Sequence, residues 1–428
     1  MAKKKKTEFG IAMRNFTRYP EMPSAQELIE YGVRMEELGY ESLWAWDHIL
    51  LGVDPNFPIH EALTILTAVA ARTTKIKVGT GILVMPMRNP VLLAKELATV
   101  DHISNGRLVV GAAVGWYKRE FDSLGVDFTK RGKIMEQGLE IINRLWTEDK
   151  VDGDYPPYNL RGAVLFPKPV QKPRPPLLIG GYVDAVLKRA ATKGDGWLTY
   201  YYTADSFAKT WAKVINFAEE AGRDPDELIS TNQLPICIGP REKIEEPMKH
   251  WLQTEWDYAS WSESTMDSAI MGTVEECVEQ LEAHVATGID RIIFVPYKYE
   301  KEQVEAVAKE IIPRLQKKMG CGRKADPLPG PITGIKKLSS GCDEPGFKNE
   351  HSSGCAGFAV SKPARVRLSV QQRESRHEIT VTRHAWRSGL CRSGRRAGHD
   401  QNRCNAAPDR RVRGVRQLRR PRRQDCRR

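Results

Sequence analysis

Four short stretches hold residue types that could do chemistry. Asp47-His48 closes the run SLWAW over residues 42 to 46. An imidazole can act as acid, base or hydrogen-bond donor near neutral pH, and a neighbouring carboxylate can fix which ring nitrogen carries the proton. The same pair could instead be a hydrogen-bonded unit that closes a loop. Gly79-Thr80-Gly81 offers backbone that a flat ligand or another strand can approach closely, and a plain bulge has the same composition. Gly111 to Gly115 (GAAVG) precedes Trp116. Small side chains under a bulky aromatic make a slot for a planar ring, although packing of strand on helix asks for the same residues. Gly180-Gly181 stands directly before a helical stretch, where free N–H groups and the positive end of the helix dipole suit a phosphate. A chain turn at that point would also need glycine.

The elements around these stretches repeat one pattern. Residues 89 to 116 show it best. Asn89-Pro90 starts a helix, Val91, Leu92, Leu93, Leu97, Val100 and Ile103 recur at three- and four-residue steps, and Ser104-Asn105-Gly106 stops it. Leu108 to Val114 then runs almost without a polar residue, as a parallel strand covered on both faces does. Similar apolar runs at 9–13, 42–47, 75–84, 177–181, 196–200, 231–239 and 291–296 predict seven further strands. Amphipathic helices are predicted after them at 24–38, 59–72, 130–146, 184–192, 204–221, 273–287 and 300–318.

Eight strand-then-helix units in about 320 residues is the number that closes a parallel barrel. The expected fold is therefore α/β, a (β/α)8 TIM-like barrel with loop insertions. A doubly wound open sheet is the rival, but no GxGxxG follows the first strand. Residues 148 to 176, rich in Pro, Gly and Tyr, read as a long loop. Pro235 counts against an unbroken seventh strand. Asp195, ahead of the sixth strand, falls at the face opposite to the four stretches and reads as structural. Trp251, Trp256, Tyr258 and Trp261 could line an apolar cavity or pack a helix on the barrel wall.

Composition divides the chain. From Ser361 onward there are 20 Arg, one Lys and five acidic residues, a net of +16 against +12 for the whole sequence, so the preceding part is slightly acidic. Cys237 and Cys277 are the only cysteines before residue 320, which fits a reducing cytosol rather than a disulfide framework. Six more follow without CxxC spacing, so they give no zinc signature. No stretch approaches the roughly 20 apolar residues of a spanning helix, and a soluble, cytoplasmic protein is expected. The segment 321 to 428 has too few aliphatic residues to offset its ordering entropy and is expected to be disordered. Its Arg density could bind nucleic acid or an anionic surface, the non-enzymatic alternative. Trp386 is its only Trp or Tyr, which argues against base stacking. The abrupt change from Lys to Arg fits out-of-frame or read-through translation better than an evolved binding arm. No HExxH, GxSxG, Walker loop or ligand-spaced His/Cys cluster occurs, so metal hydrolysis, a serine triad and nucleotide hydrolysis are unsupported, and no metal is expected.

Taken together, SLWAWDH, KIKVGTGILVMPMRNPVLLAKELATVDHISNGRLVVGAAVGW, EFDSLGV, RGKIMEQGLEIINRLW, FPKPVQKPRPPLLIGG and LKRAATKGDGW resemble the luciferase-like monooxygenase superfamily, over about residues 9 to 316. The likeness is greatest to the branch that uses the deazaflavin coenzyme F420. The resemblance implies a barrel binding a flavin or deazaflavin at the C-terminal ends of its strands. It gives His48, with Asp47 beside it, the catalytic position. It gives Gly79, Thr80, Val114 and Gly115 contact with the ring, and Gly180 and Gly181 the phosphate. Ala113 replaces a common glycine, and Arg14-Asn15 lacks an acidic residue found in some deazaflavin-dependent members. Hydride transfer with the deazaflavin and a small organic substrate is the expected reaction. The alternative is an FMNH2-dependent monooxygenase that inserts one oxygen atom from O2 into an aldehyde, ketone or sulfonate. A homodimer is also implied.

Overall fold

The structure is a computed structural model, and it describes residues 6–52, 56–255 and 262–320. The expectations for Trp256, Tyr258, Trp261 and the Arg-rich segment 321–428 lie outside the described residues.

Eight parallel strands form the closed barrel. They are β1 Glu8–Ala12, β2 Ser42–Ala45, β3 Lys77–Val84, β4 Leu108–Ala113, β5 Leu177–Gly180, β6 Gly196–Tyr200, β7 Ile229–Ile238 and β8 Arg291–Pro296. Each pairs with its successor, and β8 pairs back onto β1 with Phe9 opposite Ile292. The open-sheet rival is thereby excluded. The helices between the strands are α1 Ala25–Glu37, α2 Ala62–Arg72, α3 Pro90–Ile103, α4 Arg131–Thr147, α5 Asp184–Lys193, α6 Ala204–Glu220 and α7 Val274–Ala286. Three helical segments between Lys301 and Gly320 complete the ring.

The sequence dictates α3 locally. The Asn89 side chain accepts from the N–H of Val91 and Leu92, Pro90 takes the first turn where no N–H is needed, and Leu93, Ala94, Leu97 and Ala98 are buried. Its end is set by Asn105 and Gly106, with φ of 53° and 79°. Burying each leucine stabilises the wall by roughly 2 kcal/mol.

Two expectations change. The stretch 148 to 176 contains an antiparallel hairpin, Val151–Tyr155 with Tyr158–Ala163, and is not loop throughout. Val151 is buried while Asp152 and Asp154 are exposed, a two-residue alternation that the Gly and Pro content hides. β7 also runs through Pro235. On the edge of β7 that faces β6, pairing stops at Gln233, and a short strand, Ile270–Gly272, takes over from Ile236. Pro235 falls in the gap, where its missing N–H costs no ladder bond on that edge.

The barrel interior is filled below its mouth. Trp44 lies inside, its indole N–H donating to Ser42 Oγ at 2.9 Å. At the base, Glu8 accepts from Lys77 Nζ at 2.5 Å and from Arg291 at 2.6 Å, and the Arg291 guanidinium sits 5.3 Å from the Trp44 ring. Burial raises the Glu8 carboxyl pKa, but Arg291 and Lys77 outweigh it and hold the group below its ordinary range.

Candidate active site

The C-terminal end of β2 is clamped residue by residue. Asn15, fully buried, accepts from the Trp46 N–H at 3.0 Å and donates to the carbonyls of Trp46 at 2.8 Å and His60 at 2.9 Å. Asp47 accepts from both terminal nitrogens of Arg88 at 2.8 Å and from the Val84 N–H at 2.8 Å, while Arg88 also reaches Glu61 at 2.9 Å. Burial works against the Arg88 charge, but the two carboxylates restore it, so the guanidinium stays protonated.

Asp47 therefore does not serve His48. Its oxygens are spent on Arg88 and the backbone, and the carboxylate that reaches His48 belongs to Glu120. His48 Nδ1 lies 2.9 Å from Glu120 Oε2, and Glu120 Oε1 accepts from the N–H of Ile49 at 2.5 Å and of Leu50 at 2.8 Å. Burial raises the Glu120 pKa, but His48 and the two N–H groups more than offset it, so the carboxyl is held below its ordinary range. An ionised carboxylate can only accept, so Nδ1 carries a proton, and in the neutral ring Nε2 keeps its lone pair. The Trp116 ring stands edge-on to the imidazole, with centroids 5.9 Å apart at 79°.

Sequence reasoning missed Glu120. It lies in a short helix, Lys118–Ser123. The signal was EFDSLGV: Phe121, fully buried, anchors that helix and points its neighbour Glu120 inward. Ile82 was also missed. The β3–β4 register shifts between Thr80 and Leu83, and the Gly81–Ile82 peptide is cis. Half-buried Ile82 reaches over β4 and β5, so a Cβ on Gly180 would meet its Cδ1 at 1.8 Å, and one on Gly111 its Cγ1 at 3.3 Å.

The glycines divide by what lies beside them. A Cβ on Gly79 would meet the Trp44 ring at 2.5 Å. The flat ring that Gly79 accommodates is thus Trp44, and the expectation that it backs a ligand ring gives way to core packing. Thr80 is fully buried and donates its hydroxyl to the Gly111 carbonyl at 2.8 Å, so its side chain has no open face for a ligand either. Gly115 has φ +79°, and a Cβ there would meet Val84 at 2.5 Å and Phe121 at 2.9 Å. Its carbonyl accepts from Arg131 Nε at 3.1 Å, and Val114 beside it is partly buried against the core. Gly181 has φ +128° and leads into α5, whose N-terminus no side chain caps. Tyr182 and Val183 are about half exposed there. His48, Trp116, Val114, Gly115, Gly180 and Gly181 all stand at the C-terminal mouth, whereas Gly79 and Thr80 lie in the packing beneath it. A separate groove of about 650 Å³, lined by Glu61, Arg88, Leu92 and Lys95 of α2, α3 and their approaches, contains none of the mouth residues.

The sequence model for the luciferase-like monooxygenase family matches residues 7–291. The chain belongs to that family. It is thus an enzyme of an oxidoreductase family, and the resemblance drawn from its motifs is correct. An F420-dependent glucose-6-phosphate dehydrogenase of Amycolatopsis mediterranei is 27% identical over 323 residues, covering 68% of this chain and 95% of that protein. An FMNH2-dependent dimethylsulfone monooxygenase of Pseudomonas putida is 27% identical over 290 residues, covering 59% and 78%. Among solved structures, an F420-dependent secondary alcohol dehydrogenase in complex with an F420-acetone adduct superposes with a TM-score of 0.61 at 23% identity, covering 72% of this chain and 99% of that one. That likeness is one of fold. Among the described residues, no helix is long and apolar enough to cross a membrane.

Proposed function

We propose that this enzyme transfers a hydride between coenzyme F420 and a small organic substrate at the C-terminal mouth of its barrel. The observation that carries the reading is His48. Its Nδ1 is held by an ionised carboxylate, its neighbours on both sides are clamped, and its Nε2 has no partner among the described residues. The relative matched over 95% of its length is the deazaflavin-dependent one, against 78% for the FMNH2-dependent one, which favours this cofactor.

The residues present fit such a group. Ile82 and the backbone of Val114 and Gly115 would hold the ring, and the uncapped start of α5 after Gly180-Gly181 would take the phosphate. Bound there, a deazaflavin supplies a carbon that accepts or releases hydride. The chain's own work is protonic and positional. His48 Nε2 takes the hydroxyl proton as an alcohol substrate loses its hydride, or returns it in the reverse direction. Glu120 stabilises the imidazolium so formed and keeps the ring from turning. Trp116, edge-on to the imidazole, would cover one side of the transfer site.

The FMNH2-dependent monooxygenase reading is supported by the Pseudomonas putida relative. Fluorescence titration of the purified full chain with each cofactor separates the two. Saturable binding of the deazaflavin is expected; binding of FMNH2 without the deazaflavin would reverse the assignment.

A further inference from the structure

Ile82 is placed by a segment that the barrel ladders do not hold. Pairing of β3 with β2 ends at Thr80, opposite Ala45, and pairing with β4 stops at Thr80 and resumes at Leu83. Gly81 and Ile82 therefore stand outside both ladders, and the Ile82 side chain, reaching over Gly111 and Gly180, needs another group to fix its height. The buried carbonyl of Gly81 likewise needs a donor. The group that faces it comes from across the barrel. Gln233 on β7 is fully buried, and its Nε2 stands 3.5 Å from the Gly81 oxygen. That is its one side-chain hydrogen bond among the described residues, and its Oε1 has no partner. A Cβ on Gly81 would meet the same Nε2 at 3.5 Å and Trp44 at 3.5 Å, so the amide and Trp44 pack against the bulge from the barrel interior.

β7 itself is held on both edges at this point. Gln233 pairs with Tyr200 of β6 and Ile293 of β8, and its carbonyl accepts from the Tyr201 N–H at 2.9 Å. A strand pinned on both sides thus faces a bulge pinned on neither. A leucine of similar volume would fill that interior position without leaving a buried oxygen unpaired, so the amide is explained by its donor and not by packing. We infer that Gln233 is a positioning residue for the cofactor ring: its amide N–H holds the Gly81 carbonyl and so sets where the Ile82 side chain meets the ring. The inference rests on the mouth being the site proposed above, with Ile82 holding the ring. Gln233 itself touches no ligand and acts through Gly81 and Ile82. Thr231 supplies the control. It lies two residues earlier on the same interior face, opposite Leu198 and Arg291, is equally buried, and its hydroxyl has no hydrogen-bond partner.

The test is fluorescence titration of the full chain with coenzyme F420 and with FMN, in wild type, Gln233→Leu, Gln233→Glu and Thr231→Val. Gln233→Leu is expected to weaken binding of the ring roughly 10-fold, the scale of one buried hydrogen bond. Thr231→Val, which removes a hydroxyl from the same face but frees no part of the bulge, should bind as wild type does. Gln233→Glu gives a readout that packing alone does not produce. A buried carboxyl keeps its proton to unusually high pH and can then donate to Gly81. Binding should therefore approach wild type at low pH and fall as pH rises through the carboxyl's pKa, each point being compared with wild type at the same pH. Should these variants fold poorly, the Gln233 side-chain amide resonance of the wild type carries the same test, moving when the ring binds. Wild-type affinity in Gln233→Leu, an equal loss in Thr231→Val, pH-independent binding by Gln233→Glu or an unmoved amide resonance would overturn the inference. Binding of FMN in place of coenzyme F420, with the same order among the variants, would count against the cofactor reading alone.

Discussion

At the closed base of the barrel Glu8 binds two permanent cations, Lys77 and Arg291, whereas at the open mouth Glu120 binds an imidazole. Both carboxyls are buried enough to be raised, and both are pulled below their ordinary range by their partners. The partners differ in what they can do next. Lys and Arg stay charged at any pH the enzyme meets, so the base can only hold strands together. An imidazole is a side chain that can exchange a proton near neutral pH, and that is the property the proposed reaction draws on at the mouth. Asp47 and His48 show the contrast within one peptide bond. Asp47 turns to Arg88 and joins the scaffold, and His48 turns to Glu120 at the mouth, where the proposed reaction would use it.

Substitutions at the two ends should therefore separate activity from stability. His48→Ala is expected to lower kcat by about 10²- to 10⁴-fold, the usual worth of a general acid or base, with cofactor affinity and Tm close to wild type. Glu120→Gln comes next. The amide can donate to Nδ1 and shift the imidazole proton to the wrong nitrogen, so kcat should fall roughly 10- to 100-fold, as for other partners that orient a functional histidine. A change in the kcat pH profile would distinguish this from simple loosening of residues 49 and 50. At the base, Glu8→Gln leaves Arg291 without its anion, and a stability loss of about 2 kcal/mol by denaturant titration is expected with kcat unchanged. If Glu8→Gln cost activity and Glu120→Gln cost only stability, the division between the ends would be wrong.

The pH dependence has the same sign at both ends. A carboxyl whose folded pKa is lowered contributes its full stability above its ordinary value of 4.5 and loses it as pH falls through the folded value. Stability curves for Glu8→Gln and Glu120→Gln should both converge on wild type below that range. Deleting residues 321–428 has the smallest expected effect, with kcat and cofactor affinity within error of the full chain.

The barrel was legible because its evidence is periodic: eight apolar runs, each followed by an amphipathic helix, with Asn89-Pro90 and Asn105-Gly106 punctuating the clearest one. His48 was legible because it stands at a strand end. Glu120 was not, since its partnership spans 72 residues and no local spacing encodes it. Gly79 misled for the opposite reason. Glycine in a strand announces a close approach without saying what approaches, and here it is Trp44. The residue type of Trp251 fits a helix packed on the wall and a cavity lining equally, and only the tertiary structure shows it buried in one cluster with Met248, Leu252 and Trp44.

Anaerobic turnover tests the central claim most directly. The full chain is mixed with deazaflavin and a secondary alcohol under nitrogen, and the cofactor absorbance is followed. Reduction of the deazaflavin with stoichiometric ketone, and no need for O2, is the expected result. Substrate conversion seen only when reduced FMN and O2 are supplied together would contradict the account.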